Sequence, residues 1–571
     1  MRIIGLNVTK TSTGVTLYDG ACALLENGVI KIAIAEERIN RIKYSGGIKG
    51  SLSYCLSTRN LSVDDIDFFA LSNCADTPLD VSTGLKFLES EGFSVKENRI
   101  LICPSHHLSH AASSFFASPF EEALIIVADN EGNIIGNKRF DEYWLNPLER
   151  TSVYIGKGNK IEFLQRFNSK ENELSIGSAY NYFTKWLGFK TYHDAGKTMA
   201  LAAYGKGIFK KIKVLEFDKK RCNIKCRLSQ NHMRKYASVR KLFKEQLKVD
   251  IGQRRKKCFN PGYIQKEVAW VIQKETEKIL IALTNYFAKK TSIKNLCLAG
   301  GVALNCVVNV KLMKYTPIKR IFIQPAANDT GQAIGNALWA YHMVLRKPRK
   351  YLMNHCFLGR NYKQTEIMKA IDTFKNELII RKYDNIENIA AKFVADGKII
   401  GWFQGTSEFG PRALGHRSIV GDPRDLTTKK ILDKKIKKRE PFRPYAPSIL
   451  KEHFSKWFEV PHNNLEGVCY PLKFMIAAVT VKKEKRRFIP AVVHIDGSSR
   501  VQIVEKKENP KFYKLIHEFY DITGVPLVLN TSFNMAGEPI VETPLDAIKS
   551  FLNMNLDFLV IKNFLIERKR L

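Results

Sequence analysis

Apolar runs broken by turn residues open the chain. RIIGLNV (2–8) reads as a buried strand and GVTLYD (14–19) as a second, and Asn27-Gly28 turns into VIKIAIAEE (29–37), with helical spacing after it. The arrangement restarts at ALIIVADNEGNIIGNKRF (123–140), where an apolar run ends on a polar residue, turns and returns. Two such units predict a duplicated fold that holds ligands between its halves. Helical spacing from Gln265 to Lys289 then leads into a strand at NLCLAGG, a helix at VALNCVVNVKLMK, a strand at RIFIQPA, and a loop entering a helix at NDTGQAIGNALWAYHMVL. Irregular sequence around 346–365 predicts a boundary between domains 1–350 and 351–571. The second part alternates helices at 385–397 and 426–438 with strands at KIIGWFQ, MIAAVTV and VPLVLN, an α/β or α+β pattern.

At 571 residues the chain exceeds one core, given a prior of about 150 residues per domain. A hydrophobic fraction of 45% excludes a disordered chain. The 91 Lys+Arg against 56 Asp+Glu give a formal charge of +35, a field that attracts polyanions or phosphorylated small molecules. Lysine-rich runs such as KKILDKKIKKRE fit a solvated basic surface as well as a nucleic-acid footprint. Eleven scattered cysteines, an odd number, point to a reducing compartment. The pair Cys222 and Cys226 has no neighbouring second pair to complete a zinc site. No signal-peptide pattern and no run near the ~18 apolar residues of a membrane span is present, so a cytoplasmic protein away from membranes is expected.

In SHHLSHAASSFF, His106 and His110 stand four apart, which on a helix puts both imidazoles on one face. The glutamate of an HExxH protease helix is missing, and His107 points elsewhere. Asp129 ends the run ALIIVAD, so its carboxylate emerges at a strand end. Asp329 follows RIFIQPA and opens the next helix, where it could ligate a metal or cap the helix. Two imidazoles and two carboxylates suit Fe(II), Zn(II) or Mn(II) better than a thiolate-seeking ion. In LAGGVALN, Gly300 and Gly301 allow close backbone approach by a nucleotide or simply tight packing. Lys197, in AGKTMALAAYG, is flanked by glycines without Walker A spacing.

Basic residues cluster among Gly and Pro in the second part. Arg412, Arg417 and Arg424 lie in GWFQGTSEFGPRALGHRSIVGDPR, and Lys437, Arg439 and Arg443 in IKKREPFRPYAPSIL. Arg500 follows in DGSSRVQIV, and Ser532 in LNTSFN. Arg forks and Lys charges could line a small phosphate pocket, or the set could be structural ion pairs.

HHLSHA, DAGKTMALAAYG, LAGGVALNC, FQGTSEFGPRALGHRSI, IKKREPFRPYAPSIL, HIDGSSRVQ and LNTSFNMAGEPIVETP, in this order, resemble the NodU/CmcH-type O-carbamoyltransferase family across nearly the whole chain. The resemblance implies an N-terminal duplicated actin-like (ribonuclease H-like) ATPase domain that binds ATP and metal, and a C-terminal YrdC-like α/β domain that binds carbamoyl phosphate. It implies that His106, His110, Asp129 and Asp329 ligate a divalent metal, Fe(II) foremost, with Mg, Mn or Zn as alternatives. By the same resemblance Gly300, Gly301 and Asn305, together with Lys197, serve ATP or carbamoyl-adenylate. Arg412, Lys437, Arg443, Arg500 and Ser532 serve carbamoyl phosphate. The implied reaction makes carbamoyl-adenylate and passes the carbamoyl group to a hydroxylated small molecule. Near the N-terminus the family's Asn-x-x-His-Asp is NVTKTSTG here, which places Lys10 at the histidine position as the candidate catalytic residue beside Arg412 and Lys437. The loop NDTG also departs from the family's usual Gly-Asp. A nucleotide, nucleic-acid or glycan acceptor, and a non-catalytic nucleotide-binding regulator, remain as alternatives. The assembly state is open, a homodimer included.

Overall fold

The architecture is that of a computed structural model, which describes residues 1–8, 18–73, 79–133, 148–167, 174–190, 192–228, 237–252 and 260–569. The chain divides into two compact units, the first comprising 1–31 and 46–353, the second 32–45 and 354–571. A boundary read along the sequence does not anticipate the assignment of 32–45 to the second unit.

The first unit contains two five-stranded sheets. One is built from β1 (Arg2–Val8), β2 (Ala21–Glu26), β3 (Val29–Ala35), β4 (Phe68–Asn73) and β5 (Ile100–Ile102), in the order β3-β2-β1-β4-β5. The other uses β6 (Glu122–Ala128), β7 (Thr151–Lys157) and β8 (Lys160–Phe167), with β9 (Leu215–Asp218) and β10 (Asn223–Cys226) forming a separate hairpin. It is completed by β11 (Asn295–Ala299) and β12 (Arg320–Ile323), in the order β12-β11-β6-β7-β8. Counted outward from β1 and from β6, both sheets run third, second, first, fourth, fifth. In each, the first strand is antiparallel to the second and parallel to the fourth, and the fourth is parallel to the fifth. This repeated topology is the duplication expected of an actin-like α/β domain.

Local chemistry explains the strands. β1 and β6 are buried at all but their first residue, so they lie covered on both faces and read as continuous apolar runs. Asn27 (φ 50°) and Gly28 (φ 86°) make the tight β2–β3 connection, as two-residue hairpins require. One expectation is corrected: the second strand is ACALLE (21–26), not GVTLYD. Full burial removes the alternation that made GVTLYD look the better strand, and its residues 14–17 lie outside the described part. The strand that returns beside β6 is β7, whereas NIIGNKRF (133–140) is outside the described residues from 134 on.

Four helices position the site: α1 (His106–Phe115), α2 (Tyr263–Thr291), α3 (Cys306–Tyr315) and α4 (Gln332–Trp339). Every residue of α4 is buried. It lies on β1, where a Cβ at Gly5 would overlap the Ala333 carbonyl, and on α1, where a Cβ at Gly335 would overlap the Ser109 carbonyl.

The second unit is also mixed α/β. Its eight-stranded sheet contains β13 (Leu378–Lys382), β14 (Ile400–Phe403), β15 (Arg417–Gly421), β16 (Ala446–Leu450), β20 (Gln502–Val504), β21 (Leu527–Ser532), β22 (Phe558–Ile561) and β23 (Phe564–Arg568), ordered β13-β23-β22-β14-β15-β21-β16-β20. A three-stranded sheet joins β17 (Phe458–Glu459), β18 (Ala478–Val481) and β19 (Ser498–Arg500). Among the described residues no helix is long and apolar enough to cross a membrane.

Gly335→Ala separates two opposing effects. Alanine is about 1 kcal/mol better than glycine within a helix, but here its methyl meets a backbone carbonyl that cannot rotate away. A net destabilisation of about 1–3 kcal/mol is expected, measured as a lower midpoint in chemical denaturation.

Candidate metal centre and anion site

Ser105 caps α1 by accepting from the Leu108 N–H at 3.0 Å, which sets the helix register and turns His106 and His110 to one face. Their Nε2 atoms are 3.2 Å apart. Asp129, just past β6, places Oδ2 at 3.5 Å from His106 Nε2 and 3.1 Å from His110 Nε2. Asp329, at the head of the 3-10 turn leading into α4, places Oδ1 at 3.4 Å and 3.2 Å from the same nitrogens. All four donors lie within 4.8 Å of one another. Around an ion bonded at ~2.1 Å, adjacent ligand atoms stand about 3.0 Å apart in an octahedron and about 3.4 Å in a tetrahedron. One cation could therefore meet all four. The side chains of His106, His110 and Asp129 are sealed, but that of Asp329 is 27% exposed, so the group opens on one side.

Asp129 is held from behind. Its Oδ1 accepts from the N–H of Asn130 at 2.8 Å and of Gly301 at 3.1 Å, leaving Oδ2 for the imidazoles. Gly300 is at φ 86°, and a Cβ there would overlap the Ala128 carbonyl, so glycine is required for this approach. The GG pair thus orients a carboxylate. The head of α1 is fixed similarly: Asn133 Oδ1 accepts from His106 N at 2.7 Å, and Glu149 accepts from Ser105 Oγ at 2.6 Å, His107 N at 3.1 Å and Arg166 at 2.7 Å.

Burial opposes charge on the imidazoles, yet the carboxylates outweigh it. His106 is pushed up to about 10, chiefly by Asp329 and Asp129, and His110 is raised by hydrogen bonds to the same pair. Asp129 and Asp329 are lowered, against their own burial, by the two imidazoles. The field that retains protons here is one that favours a cation. His107 faces away and bonds Ser152 Oγ at 2.7 Å, and burial drives it down to about 3.

The remaining candidates of this unit have visible partners. Lys197 pairs with Asp194 at 3.1 Å. Asn305 caps α3 through Val308 N and donates to Gln273 Oε1 at 2.9 Å. Lys10 lies outside the described residues. Cys222 and Cys226 are free and belong to no metal-capable group of three or more ligands among the described residues.

In the second unit the basic residues divide. Arg417 is buried over the Phe403 ring and donates to the carbonyls of Gln404, Gly405, His416 and Glu542; Arg424 forks onto Asp422, and Arg439 onto Asp433. These three are structural. Lys437 Nζ donates to the Ser532 carbonyl, the Asn534 carbonyl at 2.9 Å and Asn534 Oδ1 at 3.1 Å, which ties Lys437 to Ser532. Burial drives Lys437 well below its ordinary value, and Arg439, Lys43 and Arg443 push the same way. An anion beside this crowd of cations would relieve the repulsion. Arg443 pairs with Glu440 at 3.6 Å. A buried network joins the rest: Asn530 Nδ2 donates to the Ala413 carbonyl at 3.2 Å and Ser448 Oγ at 2.9 Å, and Gln502 Nε2 to the Leu414 carbonyl at 2.8 Å. It ties the backbone beside Arg412 to the residues beside Ser532 and Arg500. No direct contact links Arg412 or Arg500 to Lys437 in the described geometry.

Two sequence-family models match in order, Carbamoyltransferase N-terminus over residues 80–338 and Carbamoyltransferase C-terminus over 391–568. The nodulation protein NolNO of Sinorhizobium fredii is 33% identical over 97% of this chain and 79% of its own length. The chain belongs to the carbamoyltransferase family. An uncharacterized protein of Synechocystis sp. is 32% identical over 97% of this carbamoyltransferase and 96% of its own length. A 3'-hydroxymethylcephem-O-carbamoyltransferase of Amycolatopsis lactamdurans is 25% identical over 93% and 94%. Glu149, Asn133 and Gln332 of this carbamoyltransferase escaped sequence reasoning. Only Gln332 left a local signal, three residues after Asp329 and so on the same helical face.

Mn(II) or Zn(II) is expected to raise the thermal midpoint of the protein. His110→Ala or Asp129→Asn should weaken binding by more than the roughly 10–100-fold loss typical of an outer partner. Affinity should fall as pH falls, because the imidazoles must release protons that the carboxylates hold. Isothermal titration in buffers of different protonation enthalpy checks the proton release.

Proposed function

We propose that this carbamoyltransferase transfers a carbamoyl group from carbamoyl phosphate, in an ATP-dependent reaction, to a hydroxyl of a small natural product. The observation carrying this reading is the four-donor group of His106, His110, Asp129 and Asp329, opening on the Asp329 side within a duplicated α/β unit. A divalent cation held there would act as a Lewis acid and template for phosphate oxygens. Asp129, braced by the Gly301 and Asn130 N–H groups, keeps the donors arranged before substrate arrives.

The chemistry closes in three steps. Water cleaves carbamoyl phosphate to carbamate and inorganic phosphate, and the cationic surroundings of Lys437, with Arg412, Arg443, Arg500 and Ser532, stabilise the departing phosphate. A carbamate oxygen attacks the α-phosphorus of ATP, which forms carbamoyl-adenylate and expels pyrophosphate. The acceptor hydroxyl attacks the carbamoyl carbon, loses its proton and releases AMP. The cephem relative's name supports a small hydroxylated acceptor. The +35 charge favours a second reading in which the acceptor is anionic, a nucleotide or an acidic glycan.

Pyrophosphate release from ATP that requires both carbamoyl phosphate and a divalent metal is the expected result; its absence overturns the proposal. Lys437→Met should lower kcat by about 10²–10³-fold. Mass spectrometry of candidate neutral and anionic hydroxylated acceptors, scored for gain of one carbamoyl group, separates the two acceptor readings.

A further inference from the structure

The end of the Gln332 side chain lies inside the donor group. Its terminal amide atom is 3.1 Å from His106 Nε2 and 3.3 Å from His110 Nε2, within the 3.1–3.5 Å range that separates the carboxylate oxygens from those nitrogens. By the spacing that makes Asp129 and Asp329 neighbours of one ion, Gln332 occupies a further vertex. The other end of the carboxamide meets Ser72 Oγ at 2.8 Å. Asn336, one turn along α4, donates to the same hydroxyl at 2.8 Å and to the Leu6 carbonyl at 2.7 Å. Gln332, Ser72 and Asn336 are all sealed from solvent. The side chain is therefore held in place by β1 and β4 behind it.

Which amide atom faces the imidazoles is decided by chemistry, since oxygen and nitrogen are nearly alike in shape. With a cation on both Nε2 atoms, neither nitrogen keeps a lone pair, and an NH2 group there would donate to nothing. The oxygen has lone pairs for the cation, and the NH2 then donates to Ser72 Oγ, whose hydroxyl hydrogen can rotate away. We infer that Gln332 presents its carboxamide oxygen as a fifth protein ligand to the cation held by His106, His110, Asp129 and Asp329. A carbonyl oxygen added to two nitrogens and two carboxylates biases the site toward Mn(II)-like or Fe(II)-like ions and away from four-coordinate Zn(II). The inference rests on the proposed metal centre.

The test uses the full chain with metal alone. Gln332→Met keeps the length without the oxygen, and Gln332→Glu restores an oxygen. Mn(II) affinity, followed by the EPR signal of free Mn(II), should fall about 10–100-fold in Gln332→Met, fall less for Zn(II), and recover in Gln332→Glu. Unchanged Mn(II) affinity in Gln332→Met, or an equal loss in both variants, overturns it. Should Gln332→Met not fold, pulsed EPR of the Mn(II)-loaded wild-type protein carrying ¹³C at the glutamine carboxamide decides: a bonded-range hyperfine coupling supports the ligand, and its absence overturns it. A wild-type chain that binds no metal would instead defeat the proposed metal centre, a distinguishable result.

Discussion

Two imidazoles and two carboxylates packed 3.1–3.5 Å apart in a nearly dry interior are the constraint around which the first unit is arranged. Isolated buried charges of this kind are expensive unless each is paired and hydrogen-bonded. Here every carboxylate oxygen facing the cluster meets a ring nitrogen, and the back of Asp129 is met by two backbone N–H groups. Removing one member strands the others. The surrounding backbone is correspondingly tight: Gly300 must adopt a positive φ against the Ala128 carbonyl, and Gly335 must lie on the Ser109 carbonyl.

The second unit handles charge by a different logic. Most of its conspicuous arginines are spent within the fold, Arg417 on four carbonyls, Arg424 on Asp422 and Arg439 on Asp433. Lys437 spends its N–H groups on the 532–534 turn. What it contributes beyond that is electrostatic: a buried cation among other cations lowers the energy of any anion placed beside it. Arginines that look equivalent along a glycine-rich stretch thus divide into scaffold and field.

The parts legible in the sequence were those set by local periodicity. The His106–His110 interval places two rings on one helical face, and the end of an apolar run places Asp129 at a strand terminus. Both signals lie within a dozen residues and survive folding unchanged. The second strand, ACALLE, was hidden because complete burial erases alternation. The fate of Arg417 depends on the Glu542 carbonyl, 125 residues away, and no local pattern carries that information. Gln332 was passed over because its meaning comes from Ser72 and Leu6, on strands far earlier in the chain. The return of 32–45 to the second unit is non-local in the same sense.

The duplication itself explains why a cation site arises at this place. Helix α1 leaves the first sheet but packs on the second, where Ser114 Oγ meets the Leu298 carbonyl of β11 at 3.4 Å. Helix α4 leaves the second sheet but packs on the first, through Gly5 and the Leu6 carbonyl. The two crossed helices meet at Ser109 and Gly335, and both present their N-terminal ends to the donor group. Helix N-termini carry partial positive charge, which attracts anions and by itself repels a metal ion. Asp129 and Asp329 reverse that local sign just enough for a cation, while the helix ends remain to draw in its phosphate ligands. A pair of imidazoles alone at this crossing would have made an anion site; the two carboxylates make it a site for a metal and an anion together.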